Sequence, residues 1–257
     1  MRVADLRNAL LDPEIAGIVF ATGGSGAQRT LEAMDWAGIA GLPPKVLAGY
    51  SDVTAILEAF GRRLGWASLL SPMVESGGRF AHYSFGSMLR ALMHPERATE
   101  LTYDEGLTLA GGIAMGVTLG GCLTLLTSSI GTDSSWPARG GILLIEEECE
   151  AGYRIDRMLT QLRRSGYLDG VAGIITGTFT GCGEQDAIEA IVHERLGDLG
   201  VPVLARANVG HGGYFQTFPV GIAAELNADA KTLRMLDTPL VPAAPEALRE
   251  PGTEAGP

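Results

Sequence analysis

Lys45-Val46-Leu47-Ala48-Gly49-Tyr50-Ser51-Asp52-Val53-Thr54-Ala55-Ile56 begins as a short apolar run, stops at a glycine and passes into an amphipathic pattern. It reads as a strand, a sharp turn and a helix. Such a turn lifts a serine hydroxyl clear of the sheet and sets it at a helix N-terminus. Unpaired backbone N–H groups there can stabilise an oxyanion. The plainer reading is that Ser51 or Asp52 caps the helix. The best-known nucleophile elbow carries a second glycine that is absent here.

The same alternation runs outward in both directions. Residues 4–11 read as a helix that ends at Asp12-Pro13, and 15–21 as a buried strand running into Thr22-Gly23-Gly24-Ser25-Gly26 and a helix over 28–34. After the helix over 53–64 comes an apolar strand at 66–70. Residues 77–104 differ: they hold a helix-like 87–93 and then a polar stretch. Glycine-rich strands restart at 113–119 and 141–146, followed by a helix at 154–165, strands at 171–179 and 201–205, and a helix between them at 186–196. Residues 219–226 and 232–236 read as a terminal hairpin. Strand–helix alternation indicates a parallel α/β sheet. The expected organisation is an N-terminal α/β domain over 1–75, a connector over 76–106, a second β/α domain over 107–240 and a disordered Pro/Ala/Glu-rich tail over 241–257.

A length of 257 residues allows one large domain or two modest ones, and 46% hydrophobic residues supply a substantial core. The net charge of −11 argues against a nucleic-acid backbone or an anionic membrane as partner, since both need clustered Lys and Arg. The first residues lack the apolar core of a signal peptide, and no apolar run is long enough to cross a bilayer. Cys122, Cys149 and Cys182 are widely spaced, with neither metal-ligand nor disulfide spacing, which fits a reducing cytoplasm. No metal site is expected.

A serine nucleophile needs a base, and the base an orienting acid. His82 and His94 fall in the connector and His193 on a polar helix, where surface roles are the natural reading. His211 sits in Asn208-Val209-Gly210-His211-Gly212-Gly213-Tyr214, after a strand and between glycines that permit close backbone approach. An ordinary loop histidine stays open as the alternative. For the acid, Gly141-Ile142-Leu143-Leu144-Ile145 runs straight into Glu146, Glu147, Glu148, Cys149 and Glu150. Most of the carboxylates are expected to be solvated; Glu146 is nearest the apolar strand and is expected to be held inward. The Gly23-Gly24-Ser25-Gly26 turn lacks the offsets of a dinucleotide fingerprint. It reads as a backbone donor to an oxyanion or as a plain tight turn.

These pieces occur in an order that resembles the LD-carboxypeptidases of serine peptidase family S66. The matching blocks are Gly23-Gly24-x-Gly26, Gly49-Tyr50-Ser51-Asp52-Val53-Thr54-Ala55, Gly120-Gly121-Cys122-Leu123-Thr124-Leu125-Leu126, Ile145-Glu146-Glu147, Tyr153-Arg154-Ile155-Asp156-Arg157-Met158-Leu159, Gly210-His211 and Phe218-Pro219-Val220-Gly221. The resemblance implies Ser51 as nucleophile, His211 as general base and Glu146 as its orienting acid. It implies an oxyanion hole from the N–H groups of Asp52 and Gly24, and substrate contacts at Gly23, Ser25 and Tyr50. The implied fold is a flavodoxin-like N-terminal parallel-sheet domain with a C-terminal swivelling β/α domain, in a cofactor-free cytoplasmic homodimer. The implied reaction is hydrolysis of the bond before a terminal D-alanine in muropeptides, serving cell-wall recycling. A second branch, the microcin C immunity peptidases, cleaves an amide joining a peptidyl or aminoacyl group to a nucleotide-derived moiety.

The chain departs from the muropeptide pattern at Thr22 and Ser25, where the family has Arg and Tyr, and at Leu70, Ser71 and Cys122. Losing an arginine and a tyrosine removes a forked carboxylate partner and an aromatic wall. The family also carries further elements before the segment matching residues 1–13, so a shortened N-terminal domain is expected, incomplete at its start. An inactive shortened homologue acting as a binding partner is the reading from outside the enzymes.

Overall fold

The computed structural model describes residues 2–75, 82–237 and Leu240. The 241–257 tail expected to be disordered lies outside the described residues, as does part of the connector. In chain order the elements are α1 (Arg2–Leu11), β1 (Gly17–Val19), α2 (Ala27–Glu32), α3 (Trp36–Ile39), β2 (Val46–Gly49), α4 (Thr54–Leu64), β3 (Ser68–Leu70) and α5 (His82–Met93). There follow β4 (Glu100–Thr102), β5 (Leu107–Ala110), β6 (Ile113–Cys122), α6 (Leu123–Ser129), β7 (Gly141–Glu148) and α7 (Gly152–Arg164). The last are β8 (Gly173–Thr180), α8 (Gln185–Leu196), β9 (Val203–Ala205), β10 (Phe218–Val220), β11 (Ala223–Asn227) and β12 (Thr232–Met235).

The strands form two sheets. One runs β1-β2-β3-β10, its first three strands parallel. The other runs β4-β12-β11-β6-β7-β8-β9-β5, with β6 to β9 parallel at its centre. The expected α/β class with parallel sheets is therefore present. One apolar cluster spans both sheets: Leu57, Phe60 and Leu70 join Leu144, Ile175 and Phe218. Phe60, fully buried, sits between the rings of Trp36 and Trp66 at 5.3 and 5.4 Å. Cutting such a side chain to alanine costs about 3–5 kcal/mol.

The end of the chain differs from the expected hairpin. Residues 219–226 do not form one strand. Gly221 takes φ +86, a backbone open to glycine, and splits the run. β10 pairs antiparallel with β3 in the first sheet, and only β11 pairs with β12. The polar stretch near residue 100 contains β4, which pairs with β12, and α6 follows β6 directly.

Candidate active site

Alternation along β7 decides where its acids point. Ile142 and Leu144 belong to the cluster shared with the first sheet, whereas Leu143 and Ile145 pack in a second cluster under α6 and α7. Successive side chains on a strand face opposite ways. Glu146 and Glu148 therefore face the first sheet, and Glu147 faces α6.

Glu146 is fully buried. Its Oε2 meets His211 Nδ1 at 2.6 Å and accepts the His211 backbone N–H at 3.2 Å. Gly210, at φ +113, makes this possible: a Cβ there would lie 2.5 Å from Glu146 Oε2. Burial pushes the Glu146 carboxyl above its ordinary range, opposed by the hydrogen bond and charge of His211. The loop carrying His211 continues along β8, with Ala207 N–H on Thr176 and Thr178 N–H on Val209.

Glu147 is also buried, in a run where most carboxylates were expected to be solvated. Its Oε2 accepts the Thr124 N–H at 2.8 Å and the Thr124 hydroxyl at 2.7 Å, and the Cys122 thiol lies 3.5 Å from Oε1. It thus caps α6 from a neighbouring strand, since the helix has no capping side chain of its own. Burial, with Glu146 and Glu147 nearby, pushes the Cys122 thiol well up, which keeps it protonated.

Ser51 opens a short 3-10 turn ahead of α4 and holds φ +61. A non-glycine residue in this region costs of order 1–3 kcal/mol and persists only where its surroundings impose it. Here they do. A Cβ on Gly49 would lie 2.9 Å from Val53 Cγ1, and one on Gly23 would lie 3.0 Å from Ser51 Oγ. Asp52 is buried, and its Oδ2 accepts the Ala27 N–H at 2.9 Å. That bond caps α2 and ties the Gly23–Gly26 loop to the serine turn. Gly24 takes φ +92 with open space beside it. Ser25 is exposed, and its carbonyl accepts from Arg2 at 2.7 Å. Tyr50 is buried; its ring packs on His211 at 4.7 Å and on Phe215 at 5.2 Å.

The serine turn and the acid–imidazole pair are joined from behind. The Thr54 hydroxyl accepts the Cys122 N–H at 3.1 Å, and Cys122 is the ladder partner of Glu146. Further along α4, Glu58 Oε1 accepts the Trp136 N–H at 2.8 Å and the Tyr167 hydroxyl at 3.1 Å. The structure therefore brings together residues from five separated segments: 23–27, 49–54, 122–124, 146–147 and 210–215. His94 is exposed and pairs with Glu96, away from this cluster. Reading the sequence missed Glu147, Glu148, Thr54 and Glu58. Strand alternation was the signal for Glu148; the capping roles of Glu147 and Asp52 depend on distant elements.

The chain matches the family model of the LD-carboxypeptidase N-terminal domain over residues 1–71 and that of the C-terminal domain over 115–226. It is 42% identical over 239 residues to a Streptomyces coelicolor protein with a provisional carboxypeptidase name, covering 93% of this chain and 77% of that one. The solved muramoyltetrapeptide carboxypeptidase of Oxalobacter formigenes superposes with a TM-score of 0.78 at 27% identity, covering 91% and 82%. MccF in complex with glutamyl sulfamoyl guanosine superposes at 0.82 with 21% identity, over 93% and 81%, a likeness of fold. Among the described residues no helix is long and apolar enough to cross a membrane.

Proposed function

The chain belongs to the LD-carboxypeptidase family, serine peptidase family S66, and is a serine-type hydrolase; from this we propose that Ser51, His211 and Glu146 form its catalytic triad. The observation that carries the reading is the buried Glu146–His211 pair in ring contact with Tyr50, the neighbour of a serine held at φ +61.

With Nδ1 committed to Glu146, Nε2 is the nitrogen left to take the Ser51 proton. Oγ attacks the amide carbonyl. The N–H groups of Asp52 and Gly24 receive the developing oxyanion. The imidazolium, stabilised by Glu146, then gives its proton to the leaving amine. Water, activated by the same imidazole, hydrolyses the ester. Tyr50 fixes the plane of the ring, and Gly23 and Ser25 line the substrate side.

The substrate we propose is a muropeptide ending in D-alanine, hydrolysed by a cytoplasmic homodimer in cell-wall peptide recycling. The name of the Oxalobacter formigenes structure supports that class. The exposed Thr22 and Ser25, which offer neither guanidinium nor aromatic ring, favour a second reading, an aminoacyl- or peptidyl-nucleotide amide. A mass-detected panel of LD-tetrapeptides and aminoacyl-nucleotide amides separates them. Release of D-alanine supports the first, and cleavage of the nucleotide amides alone rejects it.

A further inference from the structure

His211 lies in the irregular chain between β9 and β10, where no strand or helix fixes its backbone. The polar grips on the residue itself come from β7. The ring and the His211 N–H both meet Glu146 at the one oxygen Oε2, and Nε2 lies 3.4 Å from Glu148 Oε2. Two bonds that converge on one oxygen make a pivot about it.

A second anchor comes from the next strand. The Thr178 hydroxyl on β8 accepts the Gly212 N–H at 3.0 Å and lies 3.4 Å from the Val209 carbonyl oxygen. That carbonyl also accepts the Thr178 backbone N–H at 2.9 Å. One side chain therefore meets the chain on both sides of His211. Two glycines let strand and loop come this close. A Cβ on Gly177 would lie 2.2 Å from the Val209 oxygen, and one on Gly212 would lie 2.7 Å from Thr178 Cγ2. The β7–β8 ladder also slips here. Ile145 pairs with Thr176 but Glu147 with Phe179, so Gly177 and Thr178 together oppose the single Glu146. Such a bulge re-aims side chains and recurs beside active sites.

We propose that Thr178 is a positioning residue for the general base: its hydroxyl fixes the backbone around His211 and so holds the imidazole where proton transfer requires it. This rests on the triad assignment above. Thr178 acts through the loop and takes no proton itself. Without the hydroxyl, the Gly212 N–H loses its acceptor and the loop can turn about Glu146 Oε2. Misplacing a catalytic group slows the chemical step, and groups that bind substrate elsewhere are little affected.

A fluorophosphonate tests this without assuming a substrate. The Ser51 oxygen bonds to phosphorus, fluoride leaves, and the serine proton passes to His211 Nε2. Peptide mass analysis locates the adduct, and the dependence of its rate on probe concentration separates affinity from the maximal rate. Thr178→Val is expected to lower the maximal rate by about tenfold to a hundredfold with affinity unchanged. Thr178→Ser keeps the hydroxyl and is expected to restore the rate. If the valine protein does not fold, Thr178→Ala read against Thr178→Ser gives the same comparison. An undiminished maximal rate without the hydroxyl, a loss confined to affinity, or an equal loss in Thr178→Ser would overturn the proposal. A parent enzyme labelled elsewhere than at Ser51, or not labelled, would reject the triad assignment and the proposal with it.

Discussion

The Thr54 hydroxyl accepts the backbone N–H of Cys122 at 3.1 Å, and through that bond the helix behind Ser51 is fastened to the strand beside Glu146. Gly121 makes the approach possible, because a Cβ there would lie 2.6 Å from Thr54 Oγ1. Both partners are buried, so replacing the hydroxyl leaves a backbone donor without an acceptor. Thr54→Val is predicted to lose about 1–3 kcal/mol of stability in urea unfolding. Its kcat should fall while KM changes little, since the serine moves relative to the imidazole. Unchanged kcat would show that this bond does not set the serine.

Gly210→Ala places a methyl group against Glu146 Oε2 in a backbone at φ +113. Glu146 is fully buried, with Gly177 close to its Cβ, so the side chain has little room to retreat. A shift of about 1 Å at a catalytic group costs on the order of a hundredfold in rate. A loss of that size in kcat/KM, with the protein folded by circular dichroism, is the expected result. Activity within the range of the parent would contradict it.

Ser51→Gly separates strain from chemistry. Glycine adopts φ +61 without the steric penalty that serine bears. The variant should be inactive yet more stable by about 1 kcal/mol, a rise of about 2–4 °C in Tm for a chain of this size. A lower Tm by calorimetry would mean that the serine conformation is not strained.

Stability should fall with rising pH between about 4.5 and 7. Burial raises the Glu58 carboxyl from 4.5 to about 7, against the hydrogen bonds from Trp136, Ser129 and Tyr167. Below 4.5 the group is neutral in both folded and unfolded chains and carries no penalty. As pH rises, the unfolded chain ionises first, so stability is lost until the folded group titrates near 7. The span corresponds to about 3 kcal/mol. Glu146 and Glu147 shift in the same direction, so Glu58→Gln removes only its own share. Urea unfolding from pH 4 to 8 should give a shallower slope for Glu58→Gln than for the parent. An identical slope would rule Glu58 out as the source.

The parallel strands and the ends of the main helices were legible in the sequence because glycine punctuation and apolar runs are local signals. Ser51, Glu146 and His211 stood out as candidates because each follows or ends a strand-like run, and it was the resemblance that joined them into a triad. What escaped depends on distant partners. α6 begins without a turn residue because Glu147 caps it from β7. β10 is a three-residue strand whose partner is β3, and β4 is a three-residue strand whose ladder partner is β12. Asp52 read as a cap of its own helix, but its side chain caps α2. Tyr50 read as a substrate contact by resemblance; its ring lies buried against His211 and Phe215.

The central claim is that the Ser51 hydroxyl is the nucleophile. Its most direct test is the rate of D-alanine release from a muropeptide tetrapeptide by the parent and by Ser51→Ala at equal concentration. The account predicts release by the parent and a rate at least about a thousandfold lower for the variant. Equal release by the two proteins would contradict it.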